Sequence, residues 1–147
     1  MNLDFDETQL MLRTQARDFI TTKCPMSLVR QLALTTEGYS KEVWQGMAEL
    51  GWMSIPFPEQ YGGAGMTFFE VLLLLEEMGR GAVPSPYLST VLCGLAINEF
   101  GTEAQKKELL PEIANGELVL ALAWTEPSAR FDPDGVTLKA TKGAGAK

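Results

Sequence analysis

The fold is decided by the stretch TFFEVLLLLEEMG, which runs from Thr67 to Gly79. Thr67 and Glu70 have the spacing of a capping box, in which each side chain accepts a hydrogen bond from the backbone of the other at the start of a helix. The residues that follow are apolar on every side of a helix, which is typical of a helix in a protein interior. We therefore predict a buried central helix from Phe68 to Met78.

Signals for the start of a helix recur on both sides of this stretch. Capping boxes begin at Asp6 and Thr102, Ser40 can cap another helix, and the pair Ser85-Pro86 is typical of a helix N terminus. Apolar residues at helical spacing follow these signals. The sequence thus predicts a six-helix bundle whose helices occupy approximately residues 6–24, 27–34, 40–50, 68–78, 85–100 and 102–116.

The hydrophobic period changes after Gly116. Residues 118–125, LVLALAWT, form a short apolar run suited to a buried strand, and residues 136–141 alternate between apolar and polar side chains. Two strands do not make a stable sheet alone. We therefore predict an all-α domain of residues 1–117, followed by one or two strands of a truncated β-domain in residues 118–147.

Composition argues against several functional classes. The net charge is −7 and no basic run occurs, which speaks against a nucleic-acid surface. The chain has no histidine, so Ser–His and Cys–His nucleophile pairs and histidine-based metal sites are excluded, and we expect no metal site. Purely apolar runs such as residues 71–75 are too short to span a membrane, and the acidic N terminus shows no signal peptide. We expect a cytoplasmic protein.

Two short motifs have both a chemical and a structural interpretation. Glu76 and Glu77 resemble a catalytic carboxylate pair, but adjacent helical residues point in different directions, so we expect a solvated helix end. The run GGAG at residues 62–65 resembles a phosphate cradle, but it lacks the Lys-Ser/Thr pair of a P-loop, which favours a tight turn.

The helix predicted at residues 85–100 is a candidate binding surface. Small side chains lie on one stripe of it and leucines lie beside them: Ser89, Cys93 and Ala96, then Leu88, Leu92 and Leu95. Small side chains allow helices to pack closely, which is the structural interpretation. They also leave a narrow apolar slot between helices that is suited to an acyl chain.

Four segments stand in a characteristic order behind an acidic and aromatic N-terminal helix. They are PEQYGGAG at residues 58–65, EEMGR at 76–80, GTEAQKKELLP at 101–111 and LAWTEP at 122–127. These segments resemble the P-E-x-Y-G-G-x-G, E-E-x-G-R, G-T-E-x-Q-K-x-x-x-L-P and x-x-x-T-E-P motifs of the acyl-CoA dehydrogenase family. The resemblance spans nearly the whole chain.

This resemblance implies an FAD-dependent oxidoreductase that desaturates an acyl-CoA thioester between its α and β carbons. A glutamate would remove the α-proton, and the β-hydrogen would pass as hydride to the flavin. By position in the T-E-P segment, Leu122, Trp124 and Thr125 are implied to lie at the flavin. By analogy of position alone, Leu88 and Leu92 are implied to face the acyl tail. In the family, the catalytic glutamate, most FAD contacts and the tetramer-forming helices lie in later domains. We therefore expect this chain to supply no catalytic residue and to hold FAD weakly.

The sequence departs from the family after the T-E-P motif. The family usually continues with G-A-G-S-D, whereas this chain has SARFD at residues 128–132, so Phe131 stands where a serine often contacts the CoA side of the substrate. Three interpretations stay open: a fragment of an active flavoenzyme, part of a non-catalytic subunit of a heteromeric dehydrogenase, and a free-standing helical interaction module. The implied partners are acyl-CoA and the remaining domains or subunits of a homo-oligomer or heteromer.

Overall fold

The computed structural model describes residues 4–123, 125–128, 133–139 and 141. The predicted all-α bundle is confirmed. Its helices are α1 (Glu7–Lys23), α2 (Met26–Leu32), α3 (Lys41–Glu49), α4 (Phe68–Arg80), α5 (Tyr87–Phe100) and α6 (Glu103–Ala114). Short 3-10 turns at Trp52–Ser54, Glu59–Tyr61 and Pro133–Gly135 complete the secondary structure of the described residues.

The helix starts follow the predicted caps, with one difference. Complete capping boxes at Asp6, Thr67 and Thr102 open α1, α4 and α6. Helix α5 begins at Tyr87, one residue later than a proline at the first helical position requires, and the Ser85 hydroxyl accepts a hydrogen bond from the Tyr87 backbone N–H at 3.1 Å. The serine therefore still satisfies a backbone donor that would otherwise lack a partner.

Two apolar clusters form the core. The larger lies where α1 packs on α4 and α3 packs on the following 3-10 turn, and it contains the fully buried Trp52, Met47 and Leu74. The smaller lies between α6 and the Glu59–Tyr61 turn and is built on Phe57 and Ile113. These clusters hold the helices in place without a sheet.

Helix α4 is less buried than its sequence predicts. The side chains of Phe68, Phe69 and Leu72 are 40–48% exposed, because α1 and the core cover the opposite face of the helix. The expectation of a helix that is buried on every side is therefore wrong for its first turns.

The expectation of a solvated Glu76-Glu77 pair is also wrong for Glu77. Glu76 is mostly exposed, but the side chain of Glu77 is only 1% exposed. Its carboxylate accepts hydrogen bonds from Arg17 Nη2 at 2.6 Å and Arg80 Nε at 2.7 Å, and Arg13 Nε lies at 3.2 Å. These guanidinium groups, Arg17 foremost, lower the pKa of the Glu77 carboxyl to about 2. Since α1 lies across this end of α4, it both buries the carboxylate and neutralises it.

The glycine-rich run after Tyr61 forms a tight turn, as predicted. Gly62 and Gly65 have φ angles of +81° and +63°, which favour glycine. At Gly63, a Cβ atom would lie 1.8 Å from the Phe57 carbonyl oxygen, so no other residue fits there without moving the backbone.

The predicted strands are not formed within the described residues. Residues 117–123 and 136–139 have no regular secondary structure there. Part of the reason is that a strand needs a neighbouring strand, whereas the backbone of Leu120 is paired with the side chain of Thr90 on α5. The division of the chain at residue 117 stays a prediction.

We expect the Glu77 cluster to hold α1 on α4. Glu77→Gln removes the charge that three arginines share and should lower the free energy of unfolding by about 2 kcal/mol, the scale of a hydrogen bond to a charged group. Glu76→Gln, the adjacent and mostly exposed control, should change it by less than about 0.5 kcal/mol. Urea unfolding at neutral pH measures both.

The same cluster predicts a pH dependence. Because the folded-state pKa of Glu77 is depressed from 4.5 to about 2, its stabilisation is present above pH 4.5 and is lost as the pH falls toward 2. Urea unfolding across this range should show a steeper loss of stability for the wild-type chain than for Glu77→Gln. Equal slopes for the two proteins contradict the assignment.

Candidate functional site

A cleft of about 460 Å³ lies beside α5, a size typical of a small-molecule site. Among the described residues, it is lined by Ser85, Leu88, Ser89, Leu92 and Leu122. The leucines make its walls apolar, and the two serines bring hydroxyl groups to the same surface.

The helical repeat of α5 produces one wall of this cleft. Ser85 lies just before the helix, and Leu88, Ser89 and Leu92 follow at the spacing of three, four and seven residues that places side chains on one helix face. Of the predicted stripe of small residues, only Ser89 lines the cleft. The opposite face of α5 carries the buried Tyr87 and Val91, so the helix is anchored in the core on one side and open on the other.

The second wall is Leu122, which lies beyond the end of α6. The chain turns at Gly116, whose φ angle is +73° and whose carbonyl accepts a hydrogen bond from Trp44 Nε1 at 2.8 Å. A Cβ atom at Gly116 would lie 2.6 Å from the Cβ of Ala48, so the turn needs glycine for both conformation and space. Leu118 and Leu120 then pack against the smaller apolar cluster and lead the chain back to α5.

Thr90 holds this returning segment against α5. Its hydroxyl oxygen accepts a hydrogen bond from the Leu120 backbone N–H at 3.1 Å and donates one to the Leu120 carbonyl at 3.3 Å, and its side chain is fully buried. The motif-based reading of the sequence missed this residue. The available signal was a hydroxyl in an apolar helix, since a buried hydroxyl needs a hydrogen-bond partner.

The sequence and the helical arrangement are similar to those of known proteins. The profile of the family described as "Acyl-CoA dehydrogenase, N-terminal domain" matches residues 6–117. The chain belongs to the acyl-CoA dehydrogenase family. The resemblance noted in the sequence is therefore confirmed, and the six-helix bundle is the N-terminal helical domain of that family.

Individual relatives agree with this assignment. Acyl-CoA dehydrogenase FadE12 of Mycobacterium tuberculosis is 37% identical over 106 residues, which cover 71% of this chain and 27% of the relative. Probable acyl-CoA dehydrogenase YngJ of Bacillus subtilis is 34% identical over 143 residues, which cover 95% of this chain and 37% of the relative. This chain thus spans roughly a quarter to over a third of the length of these relatives.

A solved relative has the same helical arrangement. The acyl-CoA dehydrogenase of Bacillus anthracis, determined in complex with FAD, superposes with a TM-score of 0.75 at 30% identity. The superposition covers 90% of this chain and 23% of the B. anthracis chain.

The structure brings together some of the residues that the resemblance to acyl-CoA dehydrogenases nominates. Leu88 and Leu92, nominated for the acyl tail, and Leu122, nominated for the flavin, line one cleft. Thr125 is exposed a few residues further along. Trp124 and Phe131 lie outside the described residues.

The glutamate of the T-E-P motif is hydrogen-bonded to residues 137 and 138. The Glu126 carboxylate accepts hydrogen bonds from the backbone N–H groups of Thr137 at 2.9 Å and Leu138 at 3.1 Å, and from the Thr137 hydroxyl at 3.0 Å. These bonds, the Thr137 backbone foremost, hold the pKa of the Glu126 carboxyl below its usual range. A side chain here joins the T-E-P segment to residues 137 and 138, which were expected to lie in a strand.

Two further grooves flank α1 and α3. They have volumes of about 420 and 650 Å³, and Phe19 and Leu50 line both of them. The residues nominated by the family resemblance do not line either groove. A smaller pocket of about 250 Å³ is lined by Leu88 but not by Leu92 or Leu122. The α5 cleft brings the three leucines together and is therefore the candidate site.

The described part of the chain contains no group of three acidic or cysteine side chains arranged to hold a metal ion. Within that part, every helix falls short of the length and hydrophobicity needed to cross a membrane.

We expect the Glu126 carboxylate to close the loop in a pH-dependent way. Because its pKa is depressed, the loop should be closed above the ordinary pKa of a glutamate and should open as the pH falls through the folded-state pKa. Glu126→Gln leaves a single acceptor oxygen and should speed hydrogen exchange at the Thr137 and Leu138 amides. Glu117→Gln, an exposed control, should leave those rates unchanged; equal rates in both variants contradict this role.

Proposed function

We propose that this chain forms the N-terminal helical wall of an FAD-dependent acyl-CoA dehydrogenase, in which the α5 cleft receives the acyl part of the thioester. One observation carries the proposal. Leu88 and Leu92 lie about thirty residues before Leu122 in the chain, yet all three line a single apolar cleft. Family membership supplies the reaction class, and this cleft supplies a place for the substrate.

The chemistry of the cleft suits an acyl chain. Its leucine side chains offer an apolar surface to methylene groups, and burial of each methylene contributes about 0.8 kcal/mol. Ser89 already donates its hydroxyl proton to the Pro86 carbonyl, and Ser85 accepts a hydrogen bond from the Tyr87 N–H. Toward a ligand in the cleft, Ser89 can therefore accept a hydrogen bond and Ser85 can donate one. They would orient the more polar end of an acyl group.

The segment that continues from this cleft is compatible with the edge of a flavin. Thr125 carries an exposed hydroxyl, and none of the hydrogen bonds among the described residues uses the backbone of residues 121–123. We propose that Leu122, Trp124 and Thr125 contact the flavin, with the Thr125 hydroxyl hydrogen-bonded to its pyrimidine edge. When bound, FAD would supply the acceptor for the hydride that leaves the β carbon.

The base that removes the α-proton is not among the residues of the cleft. The described lining residues include no carboxylate, and the chain has no histidine. We propose that the base and most FAD contacts belong to the portion of the relatives that this chain does not span. Its partners would then be acyl-CoA and the remaining domains or subunits of a homo-oligomer or heteromer.

A second candidate function rests on the loop after the T-E-P motif. Phe131 and Arg130 stand where the family usually has serine and glycine, and such a loop is compatible with a subunit that does not itself bind the CoA part of the substrate. In this alternative the chain belongs to a non-catalytic subunit of a heteromeric acyl-CoA dehydrogenase, and its α5 cleft need not bind an acyl group.

Acyl binding can be mapped on the isolated chain. Titration with octanoyl-CoA, followed by NMR, should shift the methyl resonances of Leu88, Leu92 and Leu122, whereas free CoA should not. Leu88→Asp should weaken this binding at least about tenfold, because a carboxylate in the cleft loses solvation without gaining a partner.

Leu72→Asp is the matched control, since Leu72 on α4 is 48% exposed and Leu88 is 45% exposed. It should bind octanoyl-CoA as the wild-type chain does. Shifts confined to the grooves of α1 and α3, or equal losses in both variants, contradict the α5 cleft as the acyl site. An unshifted spectrum at millimolar ligand favours the non-catalytic alternative.

We expect the 147-residue chain alone neither to dehydrogenate acyl-CoA nor to retain FAD, because we propose that the base and most FAD contacts belong to the portion of the relatives that this chain does not span. Purification in the presence of FAD, followed by gel filtration and absorbance spectroscopy, should give a colourless protein. A stoichiometric yellow complex contradicts this expectation.

A further inference from the structure

We infer that Thr90 is a positioning residue that sets the width of the α5 cleft by fixing where Leu122 lies. The expected effect on acyl binding rests on the proposed function. The position of Leu122 is argued from the hydrogen bonds of Thr90 alone. Thr90 does not line the cleft and acts through the segment that carries Leu122.

The Thr90 hydroxyl occupies the place of a neighbouring strand. It pairs with both the N–H and the C=O of Leu120, at 3.1 and 3.3 Å, from a fully buried position. Among small side chains, only a hydroxyl group can donate one hydrogen bond and accept another through the same atom. Valine has nearly the same shape and would leave both backbone groups without this partner, so the chemistry of Thr90 and not its volume is decisive.

Thr90 is also the last tether before Leu122 in the described part of the chain. After α6, the Leu118 N–H bonds to the Glu112 carbonyl at 3.2 Å, and the Leu120 backbone bonds to Thr90. The described hydrogen bonds then leave residues 121–123 untethered. Apolar packing holds the Leu120 side chain but permits sliding and rotation, whereas a pair of directional hydrogen bonds fixes its register.

Both walls of the cleft therefore depend on one helix. Helix α5 supplies Leu88 and Leu92 directly, and it supplies the opposite wall indirectly because Thr90 holds the segment of Leu122. If the segment detaches from Thr90, Leu122 leaves the cleft while α5 keeps its own packing in the core. Thr90 should therefore affect acyl binding more than it affects global unfolding.

The test compares Thr90→Val with Thr90→Ser in the whole chain. Thr90→Val should speed hydrogen exchange of the Leu120 amide about tenfold or more, the scale of one lost buried hydrogen bond, and should weaken the methyl NOEs from Leu122 to Leu88 and Leu92. Thr90→Ser keeps the hydroxyl and should restore both. Thr21→Val is the control, because Thr21 is an exposed residue on α1 whose hydroxyl donates to the Arg17 carbonyl. It should change neither the exchange rate of the Leu120 amide nor the NOEs of Leu122.

Octanoyl-CoA titration adds the functional readout. Thr90→Val should weaken binding several-fold, and Thr90→Ser should restore it. If the wild-type chain does not bind octanoyl-CoA, the proposed function fails, and the exchange and NOE measurements still decide the role of Thr90.

Retention of the Leu120 protection and of the Leu122 NOEs in Thr90→Val overturns the inference. Should Thr90→Val prove unfolded, Thr90→Ser decides: wild-type protection and NOEs support the hydroxyl as the tether, and their loss overturns it.

Discussion

A single buried carboxylate governs how the first and fourth helices meet. Glu77 is almost fully removed from solvent, and a charge in that position is stable only when cationic donors surround it. Arg13 and Arg17 reach it from α1, and Arg80 reaches it from its own helix. Since two of the three partners come from α1, the charge is neutralised only where α1 lies across this end of α4, and the apolar contacts between the two helices form in that arrangement.

In the described segment that follows the helical bundle, backbone N–H and C=O groups need hydrogen-bond partners although no strand lies alongside. The Trp44 indole bonds to Gly116, the Thr90 hydroxyl bonds to Leu120, and the Glu126 carboxylate bonds to Thr137 and Leu138. In each case a side chain stands in for a neighbouring strand. This explains how residues 118–122 can lie in a defined place beside α5 although they form no sheet.

The sequence alone predicted the helices well because their signals are local. The capping boxes at Asp6, Thr67 and Thr102 lie within four residues of the helix starts that they mark. The burial of Glu77 was missed because its partners on α1 lie 60 and 64 residues away, and local spacing carries no information about them. The family resemblance nominated the leucines of the cleft, Leu122 by its motif and Leu88 and Leu92 by analogy of position. The role of Thr90 depends on a contact 30 residues away and became visible only in the structure.

The two faces of α5 separate the tasks of folding and recognition. Tyr87, Val91 and Gly94 face the core, where a Cβ atom at Gly94 would lie 2.3 Å from the ring of Phe57. Leu88, Ser89 and Leu92 face the cleft and do not belong to the buried core. Substitutions on the cleft side should therefore cost the fold little stability. A few of them can change which ligand the helix prefers while its buried side stays the same. Because of this division, the cleft side of α5 is the part of the domain to redesign when a different ligand is to be recognised.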